Sequence, residues 1–282
     1  MRILIVGANG QVGSASTQVL SETKRHDVIA LTRSDLDISN RNEVLNVVTS
    51  LSPDVVVNAA AMTNVDLCET QSELAFAINS FGVRNLTQAC EFVDAHLIHL
   101  STDFVFDGNI SRPYSEYDVT NPLSVYALSK LGGDTEALAY SKSTVLRVAW
   151  VFGNENGDFF SWVLDGLNKG SIDSLIDNQI STPTYSFDVA SVLSNCIANR
   201  LFGLINVANS GEATRLEMGQ ALAEKLGIKK SLSGITAESL NRPAGRPNYS
   251  SLSTDLLKNL TGIQMRSWQD ALDEHLKRIS VK

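Results

Sequence analysis

At 282 residues, 43% of them hydrophobic and 19% charged, the chain is long enough to bury a sizeable core and too apolar for disorder. A formal net charge of −8 argues against nonspecific affinity for nucleic acid or an anionic membrane, which leaves small-molecule chemistry as the better expectation. The three cysteines, Cys68, Cys90 and Cys196, are odd in number and have no CxxC or histidine pattern, so they read as reduced, buried thiols and point to neither a disulfide framework nor a metal site.

The chain opens on Arg2–Val6, an apolar run too short for a signal-peptide core, and no later stretch reaches membrane-spanning length; a cytoplasmic chain is expected. Short β-branched runs predict strands at Arg2–Val6, Val28–Thr32, Val55–Asn58, His96–Ser101 and Thr144–Val151. Helical patterns fall between them at Val12–Thr23, Asn40–Leu51, Ser72–Val93 and Tyr126–Ser141, with Asn40 and Glu43 spaced as a capping pair. Beyond Gly153 the spacing predicts helices at Asp158–Lys169, Phe187–Asn199, Thr214–Leu226 and Ser267–Ile279. Short strands are predicted at Leu175–Ile176 and Leu204–Ala208, with an irregular segment from Gly227 to Ser253. The expected fold is α/β, a Rossmann-type doubly wound parallel sheet with a smaller C-terminal α/β substrate domain. Residues 1–153 and a return segment at about 180–208 form the cofactor domain in this reading, and 154–179 with 209–282 form the substrate domain.

Gly7-Ala-Asn-Gly10-Gln-Val-Gly13 follows a strand and opens a helix, the context a dinucleotide-binding turn requires. Gly7 permits the tight turn, Gly10 lets the amides around Asn9, Gln11 and Val12 approach a pyrophosphate, and Gly13 lets the helix pack close. The helix start then holds the anion through free N–H groups and its dipole. After the second strand, where an acid would accept from the adenosine ribose, stand Thr32 and Arg33. Arg33 can pair with a 2′-phosphate, so NADP(H) is preferred and NAD(H) remains possible; an ordinary solvated arginine is the competing reading. Asp37 and Ile38 are the expected adenine neighbours.

Tyr126 and Lys130 stand one helical turn apart, a phenol and an ammonium able to act together beside a bound nicotinamide. Tyr126 is the candidate general acid, and Lys130 can stabilise the tyrosinate and bind the nicotinamide ribose. Thr102 ends the fourth strand, where ligands of open α/β sheets gather, and its hydroxyl can polarise a carbonyl; hydroxyl residues there are also common turn formers.

Taken with Asn58-Ala-Ala-Ala61, Asn64–Glu69, Ser101-Thr-Asp-Phe-Val-Phe-Asp-Gly108, Arg147–Gly153, Asp177–Thr184 and Arg246–Thr254, these motifs resemble the extended short-chain dehydrogenase/reductases and, within them, the dTDP-4-dehydrorhamnose reductase family. The resemblance runs over nearly the whole chain. It implies reduction at C4 of a nucleotide-linked keto-deoxysugar, a nucleotide-sugar partner and a monomer or homodimer. It also implies that Asp103, Val105 and Trp150 approach the sugar, that Asn79 supports the cofactor site from its helix, and that Ala59, Ala60 and Ala61 line the cofactor. Arg246 supplies a cation for the diphosphate in this reading. The family usually carries glycine where Ser181 stands and asparagine where Tyr249 stands, which bears on the substrate loop. A non-catalytic NADP-binding regulatory subunit, like that of methionine adenosyltransferase, is the competing reading, as is a reductase or epimerase of another nucleotide sugar.

Overall fold

Strands in the first half are short because each is an apolar run buried on both faces, and the amphipathic stretches between them cover the sheet. In the computed structural model, which describes residues 1–153 and 157–280, this half runs β1 (Arg2–Val6), α1 (Gln11–Glu22), β2 (Asp27–Leu31), α2 (Arg41–Leu51), β3 (Val55–Asn58), α3 (Val65–Thr70), α4 (Ser72–Phe76), α5 (Gly82–Val93), β4 (His96–Thr102), α6 (Val125–Leu138) and β5 (Ser143–Val148). The second half begins with β6 (Val151–Phe152), α7 (Phe159–Lys169), β7 (Ser174–Ile176), β8 (Ile180–Ser181), β9 (Thr184–Tyr185), α8 (Ser186–Asn199) and β10 (Gly203–Val207). It ends with β11 (Ala213–Thr214), α9 (Arg215–Lys225), β12 (Ser233–Ile235), α10 (Asp255–Thr261) and α11 (Trp268–Ser280). The domain limits expected at residues 154 and 282 fall outside the described residues.

Six parallel strands form the main sheet in the order β10-β5-β4-β3-β1-β2, the expected doubly wound arrangement. The chain winds one way from β1 to β2 and the other way from β3 onward. The crevice between β1 and β3 is therefore the switch point where ligands of such sheets bind. Alternation sends Ile3, Ile5 and Val57 to one face against Val189 and Leu193 of α8. Leu4, Val6 and Val56 face the other way, against Val83 and Leu86 of α5. A separate core, with Phe152, Phe160, Leu175, Leu222, Trp268 and Leu272, holds the second lobe together.

The sequence reading and the structure part at a few places, each with a physical reason. The strand expected to run to Val151 stops at Val148, because Trp150 takes φ +39° and β6 restarts beyond it. The helix expected over Ser72–Val93 is interrupted by a π-helical turn at Ala77–Phe81. That turn abuts α6 so closely that a Cβ at Gly133 would lie 2.2 Å from the Asn79 carbonyl. β7 finds its partner, β12, inside the segment read as irregular, and α3 and α10 are too short for a periodic signal. Asn40 caps α2 as expected, accepting from the Glu43 amide at 3.3 Å. Among the described residues no helix is long and apolar enough to cross a membrane.

Candidate active site

The carboxyl ends of β1, β3, β4 and β5 open into a cavity of about 730 Å³. Gly7, Asn9, Gly10, Gln11 and Val12 line one end of it, beside Arg33, Asp37 and Ile38. Gly7 sits at φ +77°, and a Cβ there would lie 2.5 Å from the Ala60 amide, so the β1 turn presses directly on the end of β3. Gly13 stands behind the turn and outside the cavity wall, where a Cβ would lie 2.2 Å from the Gly7 carbonyl. Gly10 is the N-cap of α1 and offers no side chain to the first amides of that helix. Those donors remain available to an anion.

The acids near Arg33 are committed locally. Asp35 accepts from the Thr32 amide at 2.8 Å and its hydroxyl at 2.6 Å. Asp37 accepts from the Ser39 hydroxyl at 2.7 Å and its amide at 2.9 Å, and those bonds hold it below the usual carboxylate range. Arg33 is exposed, lines the cavity and has no ion-pair partner among the described residues. Ala59, Ala60 and Ala61 line the wall next to the glycine turn.

At the other end, Ser124 caps α6 by accepting from the Ala127 amide at 3.2 Å, which starts the helix just before Tyr126. Thr102, Tyr126 and Lys130 all reach the same cavity. Burial pushes the Tyr126 phenol well above its ordinary value, against a smaller opposing effect of the Thr102 hydroxyl, so the phenol is protonated at neutral pH. Burial lowers Lys130 to about 8, with Asp134 pulling the other way, and its ammonium donates to the Leu100 carbonyl at 2.5 Å. Behind it, Asp134 accepts from Arg147 Nε at 3.1 Å in a fully covered pair.

Asp103 and Trp150 also line the cavity. Burial raises Asp103 to about 6, although Ser250 donates to it at 2.5 Å and Ser181 at 3.1 Å. Ser181, in the place where the family usually has glycine, thus joins β8 to the end of β4. Three expected site residues do not line the cavity wall. Val105 is fully buried against Phe106 and Tyr114, because the 3₁₀ turn at Asp103–Val105 directs it into a small core. Asn79 is spent on structure: it accepts from the Met62 amide at 2.8 Å and donates to the Ser129 hydroxyl at 3.0 Å, bracing the β3 loop against α6. Arg246 is held by Asp66 through both terminal nitrogens, at 3.0 and 2.9 Å.

Two features escaped the sequence reading. Leu67 of α3, Leu74 of α4 and Gln71 at their junction line the cavity, and no motif marks them. Arg215, the first residue of α9, lies over the Trp150 ring at 3.7 Å from its centroid. A capping box between Thr214 and Glu217 fixes the start of that helix, and the Thr-x-x-Glu spacing was the available signal.

A doubly wound sheet with the glycine turn, Thr102 and the buried Tyr126–Lys130 pair at its strand ends defines an extended short-chain dehydrogenase/reductase. The chain belongs to the RmlD substrate binding domain family, whose sequence model matches residues 1–281. It is 34% identical over 285 residues to the dTDP-4-dehydrorhamnose reductase of Aggregatibacter actinomycetemcomitans, with 96% of this chain and 97% of that one covered. The crystal structure of a dTDP-4-dehydrorhamnose reductase from Clostridium acetobutylicum matches with a TM-score of 0.95 at 34% identity, over 99% of this chain and 100% of that one. The Bacillus anthracis dTDP-4-dehydrorhamnose reductase in complex with NADP matches with a TM-score of 0.92 at 29% identity, over 99% of this chain and 98% of that one.

Proposed function

We propose that the chain is an NADPH-dependent reductase of the C4 keto group of a nucleotide-linked 4-keto-6-deoxy sugar, converting dTDP-4-dehydro-L-rhamnose to dTDP-L-rhamnose. NAD(H) is the second cofactor such a site can take. The observation that carries this reading is that a buried Tyr126–Lys130 pair and Thr102 share one cavity with the uncapped start of α1 and with Arg33. A dinucleotide fits these residues. The turn glycines leave room where a Cβ would strike backbone, the α1 amides lack a side-chain acceptor, and Arg33 makes no direct ion pair among the described residues.

Bound NADPH supplies the hydride that reaches C4. The Tyr126 hydroxyl donates the proton that the developing C4 alkoxide needs, and its buried, neutral phenol is ready for that step. The Lys130 ammonium stabilises the tyrosinate left behind and can hold ribose hydroxyls. Thr102 orients the carbonyl through its hydroxyl. Asp103 and Trp150 border the sugar. Asn79 and Val105 act by holding the walls, and Arg246 anchors its segment to Asp66. Arg33 takes the 2′-phosphate and the α1 start takes the pyrophosphate.

The same reading assigns residues 1–153 with the return at 180–208 to cofactor binding, and 154–179 with 209–282 to substrate binding. It places the enzyme in the cytoplasm as a monomer or homodimer. NADPH oxidation against dTDP-, UDP- and GDP-linked 4-keto-6-deoxy sugars tests it. Turnover of the dTDP sugar is expected, and silence across the panel with tight NADPH binding would overturn the reading in favour of a regulatory role.

A further inference from the structure

Arg215 stands apart from the other arginines of the protein interior. Arg147 pairs with Asp134, Arg246 with Asp66, and Arg266 with Asp188 and Glu274. Arg215 is half-buried, yet its one polar contact is the Met218 sulfur at 3.7 Å, and no carboxylate pairs with it among the described residues. A guanidinium stays charged at physiological pH, and the Asp103 carboxylate offsets its desolvation only from beyond ion-pair distance, so its N–H groups are left without an oxygen acceptor among the described residues. In a chain of net charge −8, a shortage of acids does not explain the missing partner.

The geometry narrows what the partner is. The Arg215 guanidinium lies over the rings of Trp150, at 3.7 Å, and Phe159, at 4.7 Å. With its plane engaged by aromatic rings, its N–H groups point out along the edge, in the fork that phosphate oxygens match. Arg242 is near enough to depress Arg215 electrostatically, and it too has no ion pair among the described residues. Its neighbour Asp66 is already held by Arg246. Arg215 thus lies against Trp150 and within reach of the Asp103 charge, both wall residues of the cavity, with Arg242 near enough to feel its charge.

We propose that Arg215, backed by Arg242, holds the diphosphate of the substrate at the mouth of the cavity. This rests on the nucleotide-sugar reading above. Because Arg215 also covers the Trp150 indole, phosphate capture and placement of the sugar against Trp150 are coupled. Trp150 sits at φ +39°, a conformation a tryptophan keeps only when its surroundings hold it there.

The test is dTDP binding to the NADP-loaded protein by calorimetry, in wild type, Arg215→Gln, Arg215→Met and Arg242→Gln. Arg215→Met keeps an apolar stem against the indole and removes the charge, so it guards against a packing effect in Arg215→Gln. Both Arg215 variants are expected to weaken dTDP about tenfold or more, and Arg242→Gln by less, with NADPH affinity unchanged. Wild-type affinity for dTDP in the Arg215 variants would overturn the assignment and leave the reductase reading standing. Parallel loss of NADPH affinity would overturn it too, by making Arg215 structural. A wild type that binds NADPH and not dTDP would instead overturn the nucleotide-sugar reading on which the assignment rests.

Discussion

The hydrogen bonds that shape the nucleotide end of the cavity join residues a few positions apart, whereas those at its substrate end reach across much of the chain. Gly7 and Gly13 meet within one turn, Asp35 bonds to Thr32, and Asp37 bonds to Ser39. At the substrate end Asp103 bonds to Ser181 and Ser250, which are 78 and 147 positions away, and Asp66 bonds to Arg246, 180 positions away. The difference separates two kinds of recognition. On the proposed reading, local geometry at β1 and α1 holds the cofactor, while choice of sugar depends on how the second lobe packs on the first.

The largest expected effect falls where the two ends meet. Tyr126→Phe should lower kcat by about 10²–10⁴-fold while leaving the NADPH dissociation constant within a few fold, since the hydroxyl serves proton transfer. Steady-state rates and a direct binding titration check both halves of that statement. Arg33→Ala should weaken NADPH by about tenfold to a hundredfold and NADH far less. A uniform loss for both cofactors would show Arg33 to be structural and the nucleotide end to be indifferent to the 2′-phosphate.

Titration reports on the substrate end. With Lys130 lowered to about 8, its ammonium is present below that pH and lost above it, so kcat/KM should fall about tenfold between pH 7 and pH 9. A flat profile to pH 9 would take Lys130 out of the account. Stability follows linkage in opposite senses at the two groups. Between about 8 and the ordinary lysine value of 10.5, the folded chain holds fewer protons than the unfolded chain, and the Lys130 contribution rises with pH. Asp103, raised to about 6, is protonated in the folded chain where the unfolded carboxyl, at 3.8, has already ionised; its contribution falls as pH rises through that window.

The smallest effect isolates the substrate end. Ser250→Ala removes the shortest donor to Asp103 and should raise KM for the sugar nucleotide a few fold, with KM for NADPH unchanged. Equal changes in both constants would mean that the ends do not act separately.

This division also explains what could be read from residues alone. Gly7–Gly13, Thr102, Tyr126 and Lys130 were legible because each motif lies at a strand end or on one helix face, where spacing determines direction. The burial of Val105 and the bracing contacts of Asn79 were not legible, because a 3₁₀ turn and a π-helical turn direct those side chains and neither has a sequence period of its own. Arg246 was found as a cation, yet its partner Asp66 lies on a short helix far away in the chain. Arg215 went unseen because only the fold of the second lobe brings it to Trp150.

In the proposed reaction the Tyr126 site reduces a sugar carbonyl with hydride from a bound nicotinamide. The most direct measurement is transfer of deuterium from NADPH labelled at the nicotinamide C4 to dTDP-4-dehydro-L-rhamnose, followed by NMR of the product. Deuterium is expected at C4 of dTDP-L-rhamnose with wild type, appearing about 10²–10⁴-fold more slowly with Tyr126→Phe. Bound NADPH that transfers no deuterium to the sugar, or transfer by Tyr126→Phe at the wild-type rate, would contradict that role.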